Sequence, residues 1–485
     1  MSFLRQKQKI PEIITIFVIL VLLHTISIGI IQGQQITKNQ SLPENNIYVS
    51  YDLIIITPKK FVKYLNPLVE HKNSHGVKTK LVTLEDIYIQ EFWNGTDDAE
   101  KIKYFIKDAL EDWNIKYVLL VGGRKDQGKE ETWWVPVRYT NIIRDYKGHE
   151  KWSEGDFLSD LYFADIYDSN GNFSSWDDDC DGIFGEWYNN ESAEDKPDLY
   201  PDVAVGRLPC RNIVDVKLIV NKIIRYETAD FGDSWFKKLV VVAGDTYPEK
   251  TDYIDGENYT QQAIDIMQDF ESVKIWSSIG NLNWINILRE LNKGCGFVFF
   301  SGHGGAKSWS THPPYDIDKW IGDFKLKHMS LLFNREKLPV CLSASGCFNN
   351  MFNVSLSSSF LVYSNIFKII YFPSGTPRCW GWSLVARSIG GSIATIASTA
   401  YSYESSDIDS KRGGCEWLDI HFFEEYNKSS TKILGDCWAG TVNRFLENFS
   451  INWSDDSTYG DAIIGKNVEQ WLLIGDPSLK IGGYN

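Results

Sequence analysis

The stretch 297–350 constrains this chain more than any other. It opens on an apolar run, Phe297-Val298-Phe299-Phe300, that stops at Ser301-Gly302-His303-Gly304-Gly305. A second run, Leu338-Pro339-Val340-Cys341-Leu342, ends in Ser343-Ala344-Ser345-Gly346-Cys347-Phe348. Short apolar runs closed by glycine and small polar residues read as buried strands of a parallel sheet, whose carboxyl ends open onto a ligand crevice. Each run then delivers one reactive side chain, His303 or Cys347, to the same edge.

The rest of the chain supports such a sheet. Apolar runs near 48–57, 77–83, 116–121 and 202–207 alternate with helical patterns near 58–76, 98–113 and 213–228, which is the spacing of βα units. Residues 124–201 break the pattern with a stretch rich in Trp, Tyr, Asp, Asn and Gly, too aromatic for a disordered linker. Phe231-Gly232-Asp233 reads as a seam. Beyond it come strand patterns near 238–243, 273–276, 392–397 and 471–474. The reading is α/β, with two subdomains, 48–233 and 234–485, each a mostly parallel sheet flanked by helices. At 485 residues and 43% hydrophobic content the chain can bury cores of that size.

Charge and cysteine usage exclude several classes. With 64 acidic against 49 basic residues the net charge is −15, which argues against a nucleic-acid partner. The 8 cysteines lie far apart without a CxxC pair, so zinc-ribbon and thioredoxin sites are poor readings. Arg5, Lys7 and Lys9 precede an apolar segment at 13–31, and residues 1–33 read as a secretory signal or an uncleaved membrane anchor. Either way the remainder is expected outside the cytoplasm, extracellular or tethered with its catalytic region outside, and that segment is the expected contact with a membrane. Sequons such as Asn94, Asn172, Asn258 and Asn448 fit an exported chain.

A cysteine nucleophile needs a base to form thiolate and paired donors to hold an oxyanion. His303 is placed to be the base. The amides of Gly304 and Cys347 are placed to be the donors. A lone histidine or cysteine is more often a turn or core residue, and His75-Gly76 reads as a plain turn because no apolar run precedes it. What separates His303 is the second strand with the same kind of ending. Ser343 and Ser345 are weaker nucleophiles than a thiol in the same turn.

Several blocks together resemble the gingipain-like cysteine peptidases of family C25, within the caspase-like clan. They are FVFFSGHGG, LSASGC, DLYFAD followed by WDDDCDGIFGE, YPDVAVGRLP and the terminal LLIGDPSL. The resemblance implies an endopeptidase acting on protein or peptide substrates, with Cys347 as nucleophile, His303 as base and then acid, and an oxyanion hole at Gly304 and Cys347. It implies no cofactor for the chemistry. In caspase-like enzymes the residue closing the first strand of the catalytic subdomain often lines the P1 pocket. Here that position is Asp245, and a carboxylate there would favour Arg or Lys. Gly346 departs from the Ala that commonly precedes the nucleophile.

A second chemical site is expected in Trp176-Asp177-Asp178-Asp179-Cys180-Asp181-Gly182 followed by Glu186. Asp177, Asp179, Asp181 and Glu186 offer oxygen ligands around a glycine turn, a pattern suited to a structural calcium ion. The spacing starts as an EF-hand loop does, but the glutamate arrives early. The rival reading for the whole chain is a calcium-stabilised surface or binding protein that keeps the peptidase fold without its activity.

Overall fold

β-Branched and apolar side chains that fill both faces of a strand force that strand into the middle of a sheet. In the computed structural model, β1 (Leu53–Thr57) and β3 (Tyr117–Val121) are buried at every position. So are β6 (Ala204–Leu208), β9 (Phe297–Ser301), β13 (Val340–Ala344), β14 (Ala394–Ser398) and β15 (Trp471–Ile474). The structure describes residues 50–89, 95–142, 156–187, 192–230, 235–248, 252–357, 375–404, 413–455 and 460–484. The expected signal or anchor at 1–33 lies outside them, and no helix among the described residues is long and apolar enough to cross a membrane.

With β2 (Thr79–Thr83), β7 (Lys238–Ala243) and β8 (Glu271–Trp276), these strands form one ten-stranded sheet in the order β2-β1-β3-β6-β15-β14-β13-β9-β7-β8, while β4 (Tyr139–Thr140) and β5 (Phe157–Leu158) pair separately. Its neighbours pair in parallel except β14 with β15. That one antiparallel step divides the sheet into two oppositely directed groups. The junction between β6 and β15 is narrow, a single registered pair, Ile474 with Arg207. The mostly parallel α/β architecture flanked by helices is as expected, but the two sheets expected of 48–233 and 234–485 are joined at β6 and β15 into one.

Local sequence sets the helix ends. In Asp98–Trp113 the Asp97 side chain accepts from the Glu100 amide, and Asn114 closes the helix in the left-handed conformation, φ 55°. Asn212 caps Ile213–Glu227 in the same way, accepting from the amides of Val214 and Asp215. Helix Val62–Ser74 packs on Ile213–Glu227, and Cys415–Lys428 packs on Leu434–Asn448 and on Asp255–Ile266.

The two faces of β9 show how the layers form. Phe297 and Phe299 face Phe423, with ring centroids 5.8 and 5.5 Å away, whereas Phe300 faces Trp309 and Trp380 at 5.1 and 5.2 Å. Alternation along one strand therefore builds two cores, and truncating a buried Phe to Ala in such a setting costs about 3–5 kcal/mol.

The sequence blocks far apart in the chain meet as buried ion pairs. Arg207 in β6 grips Asp160 through two bonds of 2.7 Å. Asp476 of the terminal block lies 2.9 Å from Lys72, which also bonds Glu227 at 2.8 Å. Burial works against the Lys72 charge, but Asp476 and Glu227 outweigh it and hold the ammonium above its ordinary pKa. Removing one partner of such a set leaves a buried charge uncompensated, at a cost of about 3–5 kcal/mol.

Candidate active site

Adjacent parallel strands β9 and β13 run in register to their last pair, Ala344 with Ser301. Beyond that pair each chain turns out of the sheet at the same edge. After β9, Gly302 takes φ +152°, and a Cβ there would lie 2.8 Å from Thr311 Cβ and 3.0 Å from Trp309 Cζ2. Glycine is therefore required for the chain to reverse. It leads into a small antiparallel sheet of β10 (His303–Gly305), β11 (Ser308–Thr311) and β12 (Ile321–Lys325). His303 is the first residue of that hairpin.

After β13, Ser345 and Phe348 adopt φ of 56° and 62°, a left-handed backbone that ordinary side chains disfavour. The turn is held from outside. Phe348 N–H donates to Ala400 O at 3.0 Å and Asn350 N–H to Ser398 O at 2.9 Å, both at the end of β14. Cys347 sits at the crest between the two strained residues.

The two turns touch. A Cβ on Gly304 would lie 2.6 Å from Gly346 Cα and 2.7 Å from Cys347 O, so the backbone of the histidine hairpin lies directly against the cysteine turn. Asn349, fully buried, spans the same gap: its Nδ2 donates to Gly305 O at 2.9 Å and Ser308 O at 3.2 Å.

His303 Nε2 lies 2.8 Å from Thr246 O. A carbonyl only accepts, so Nε2 carries the proton and Nδ1 is the basic nitrogen. Thr246 is fixed in turn by Asp255, whose Oδ1 accepts from the Thr246 amide at 2.6 Å and whose Oδ2 accepts from the Tyr247 amide at 3.2 Å. Burial pushes His303 down to about 4, with a smaller contribution from His312, against the pull of the Thr246 bond. The imidazole is neutral at pH 7 and available as a base.

Around the thiol, Cys347 Sγ lies 3.3 Å from Ser402 Oγ, and the Ser402 amide donates to Sγ at 3.4 Å. Ser345 Oγ donates to Glu404, a buried carboxyl raised well above its ordinary range by burial and then by Asp255 and Glu416. The Cys347 amide, expected to face an oxyanion, donates to Ser345 O at 2.9 Å in this state.

The remaining expected residues fall as follows. Asp245 ends up buried just beyond β7, its backbone bridged both ways to His312 at 3.0 and 3.2 Å. The ring of His312 lies 5.5 Å from that of His303. In the acidic loop, Asp179, Asp181 and Glu186 bring ligand oxygens within 4.8 Å of one another, as do Asp177, Asp179 and Asp195. Asp195 was not among the expected ligands. Its Oδ2 accepts from the Glu186 amide at 3.0 Å, and burial pushes it up to about 6. All 8 cysteines remain thiols in this structure.

Sequence reasoning also missed Thr246, Asp255, Asn349, Ser402 and Glu404. A backbone carbonyl such as that of Thr246 leaves no residue signal. Asn349-Asn350 did leave one, because two amides beside an apolar strand must be satisfied inside the fold.

An α/β sheet that presents a histidine hairpin and a cysteine turn at neighbouring strand ends defines the caspase-like, gingipain-like class. The chain belongs to Peptidase family C25, whose profile matches residues 48–482. Gingipain R2 of Porphyromonas gingivalis is 21% identical over 434 residues, covering 88% of this chain and 46% of that protein. The chain thus spans about half the length of that gingipain. An uncharacterized protein of Archaeoglobus fulgidus is 22% identical over 445 residues, 87% of this chain and 92% of its own. The crystal structure of the Arg-specific cysteine proteinase gingipain R superimposes with a TM-score of 0.57 at 20% identity, covering 89% of this chain and 78% of that one.

Proposed function

We propose that the protein is an exported cysteine endopeptidase that hydrolyses peptide bonds through a thioester. The observation that carries this reading is the tautomer of His303, with Nε2–H on Thr246 O and Nδ1 left as the basic nitrogen, on a hairpin whose Gly304 lies against the Cys347 turn. Cys347 Sγ attacks the scissile carbonyl as its proton passes to Nδ1. The imidazolium then protonates the leaving amine, and the C–N bond breaks. Water, deprotonated by His303, hydrolyses the thioester and restores the thiol. The Gly304 amide, joined by that of Cys347 once it leaves Ser345 O, would hold the oxyanion. No cofactor is needed for these steps.

For the substrate we infer a basic P1 side chain. Asp245 remains the candidate for this contact: it is a buried residue just beyond the carboxyl end of β7, next to Thr246, whose carbonyl holds His303. Labelling with a thiol-directed peptide probe, with Cys347→Ala as control, tests the chemistry. Probes and substrates carrying Arg, Lys or a neutral residue at P1 test the specificity. No labelling and no hydrolysis by folded wild type sinks the enzyme. Cleavage after neutral residues that is equal to basic ones, and unchanged in Asp245→Ala, sinks the basic pocket.

We further propose that Asp177, Asp179, Asp181 and Glu186, with Asp195, hold a structural calcium ion. Trp187 and Ala193 of this loop share a buried cluster with Phe348, the residue after the nucleophile. Chelation is expected to lower the melting temperature by several degrees, about 2–3 kcal/mol for a well-saturated ion. A melting curve unmoved by chelator removes the ion from the account. The subdomains 48–233 and 234–485, and residues 1–33 as signal or anchor, are retained as proposals. Limited proteolysis and N-terminal sequencing of the purified protein test them: a cleaved signal moves the first residue beyond 33.

A further inference from the structure

His303 and Cys347 follow different strands, β9 and β13, and the sheet register that aligns those strands stops at Ala344 and Ser301, before either residue. Something must fix the spacing beyond that point. The carboxamide of Asn349 makes three bonds there. Nδ2 donates to Gly305 O and Ser308 O, the carbonyls on either side of the hairpin turn, at 2.9 and 3.2 Å. Oδ1 accepts from Ser343 Oγ at 2.8 Å, which ties the amide back to β13. The two carbonyls determine which end is nitrogen, so the amide cannot reverse without losing both bonds.

We propose that Asn349 is a positioning residue for the proton transfer, a neutral staple that sets the separation between the cysteine turn and the histidine hairpin. The inference rests on the cysteine-peptidase reading of the dyad. Chemistry at this position is narrowly limited. A carboxylate of the same size keeps an acceptor for Ser343 but presents a second oxygen to two carbonyls, and a hydroxyl is too short to reach both strands. The surrounding residues leave room for the amide and for nothing more: a Cβ on Gly346 would collide with both Ser343 Oγ and Asn349 Oδ1. Glycine at 346 is thus required by the space that the staple occupies. A displacement of about 1 Å between reacting groups is enough to cost about 100-fold in rate.

The test compares wild type, Asn349→Asp and Ser343→Ala, the second chosen because losing one hydroxyl leaves the fold intact. Three quantities are measured: kcat and KM on a peptide substrate, the pH profile of Cys347 alkylation by iodoacetamide, and hydrogen exchange of amides 303–311. Asn349→Asp is expected to lower kcat about 100-fold with KM within about threefold. Its alkylation profile should move toward that of an unassisted thiol, and exchange in the hairpin should rise about tenfold. Ser343→Ala is expected to shift each quantity in the same direction by about fivefold or less. Wild-type alkylation and wild-type kcat in folded Asn349→Asp overturn the proposal, and so does a loss that only tracks the unfolded fraction. If Asn349→Asp does not fold, an unchanged alkylation profile and hairpin exchange in Ser343→Ala overturn it. A wild type that hydrolyses no peptide overturns the peptidase reading instead, and alkylation and exchange still decide whether Asn349 spaces the two turns.

Discussion

The dipeptide His-Gly occurs at 75–76 and again at 303–304, and the two occurrences differ in almost everything that matters for chemistry. His75 closes helix Val62–Ser74, is exposed, and places Nδ1 2.8 Å from His71 O while stacking on Tyr484 at 4.3 Å. His303 follows a fully buried strand and is locked onto Thr246 O. The glycines differ as well. Gly76 is needed for its backbone sign, φ +84°, and has nothing within 4 Å of a Cβ position, whereas Gly304 is needed because Gly346 and Cys347 press against it. What separates the two dipeptides is thus the segment that faces each, here the cysteine turn, and not the dipeptide itself.

The sharpest way to break this contrast is to remove each imidazole. His303→Ala should lower kcat/KM for peptide hydrolysis by at least about 1,000-fold, since both proton transfers lose their carrier. His75→Ala should stay within about twofold of wild type. Comparable losses in the two variants would mean that the dyad assignment is wrong. Next in size is Gly304→Ala. Its methyl must push the hairpin off Gly346, and we expect kcat to fall about 100-fold in protein that still unfolds cooperatively. Full activity in that variant would show that the two turns are not in contact during turnover.

Acid tests the burial of His303. For His303, the folded-state pKa of about 4 lies below the ordinary 6.5, so the folded protein releases a proton that the unfolded chain holds. Its contribution to stability is complete above pH 6.5 and is lost as the pH falls toward 4. Asp255 and Glu404, raised by burial, act in the opposite sense, so the comparison must be between variants. Urea unfolding at pH 7 and pH 4.5 should show wild type losing more stability than His303→Gln. Equal losses would mean that His303 is not held neutral by burial.

How much of this was legible in the sequence follows from where the information sits. The strands β9 and β13 were evident because apolar runs of this kind have few other uses, and His303 and Cys347 stood out as candidates because both runs end alike. The acidic loop was evident from alternate carboxylates, although Asp195 was not, since it joins the others only through the fold. Helix Asp255–Ile266 was missed: its buried positions include Asp255, Glu257 and Thr260, so an apolar stripe is weak. The orienter of His303 is a carbonyl, which every residue has, and only the turn fixed by Asp255 selects Thr246 for that task. Sequence patterns report burial and periodicity well. They do not report which backbone atoms a turn will expose.

The smallest expected effect is also the cleanest test of why the two glycines differ. In Gly76→Ala no atom obstructs the new methyl, so the only cost is holding an L-residue at φ +84°, about 1–2 kcal/mol. Asparagine tolerates that conformation better, so Gly76→Asn should cost less than Gly76→Ala. Both variants should hydrolyse peptide at the wild-type rate, with melting temperatures lowered by a few degrees at most. Gly304 should show the reverse: asparagine should be worse than alanine there, because contact and not backbone sign is limiting. If asparagine ranks above alanine at both positions, the Gly304 contact is not what separates the two sites, and the cysteine turn must be sought elsewhere.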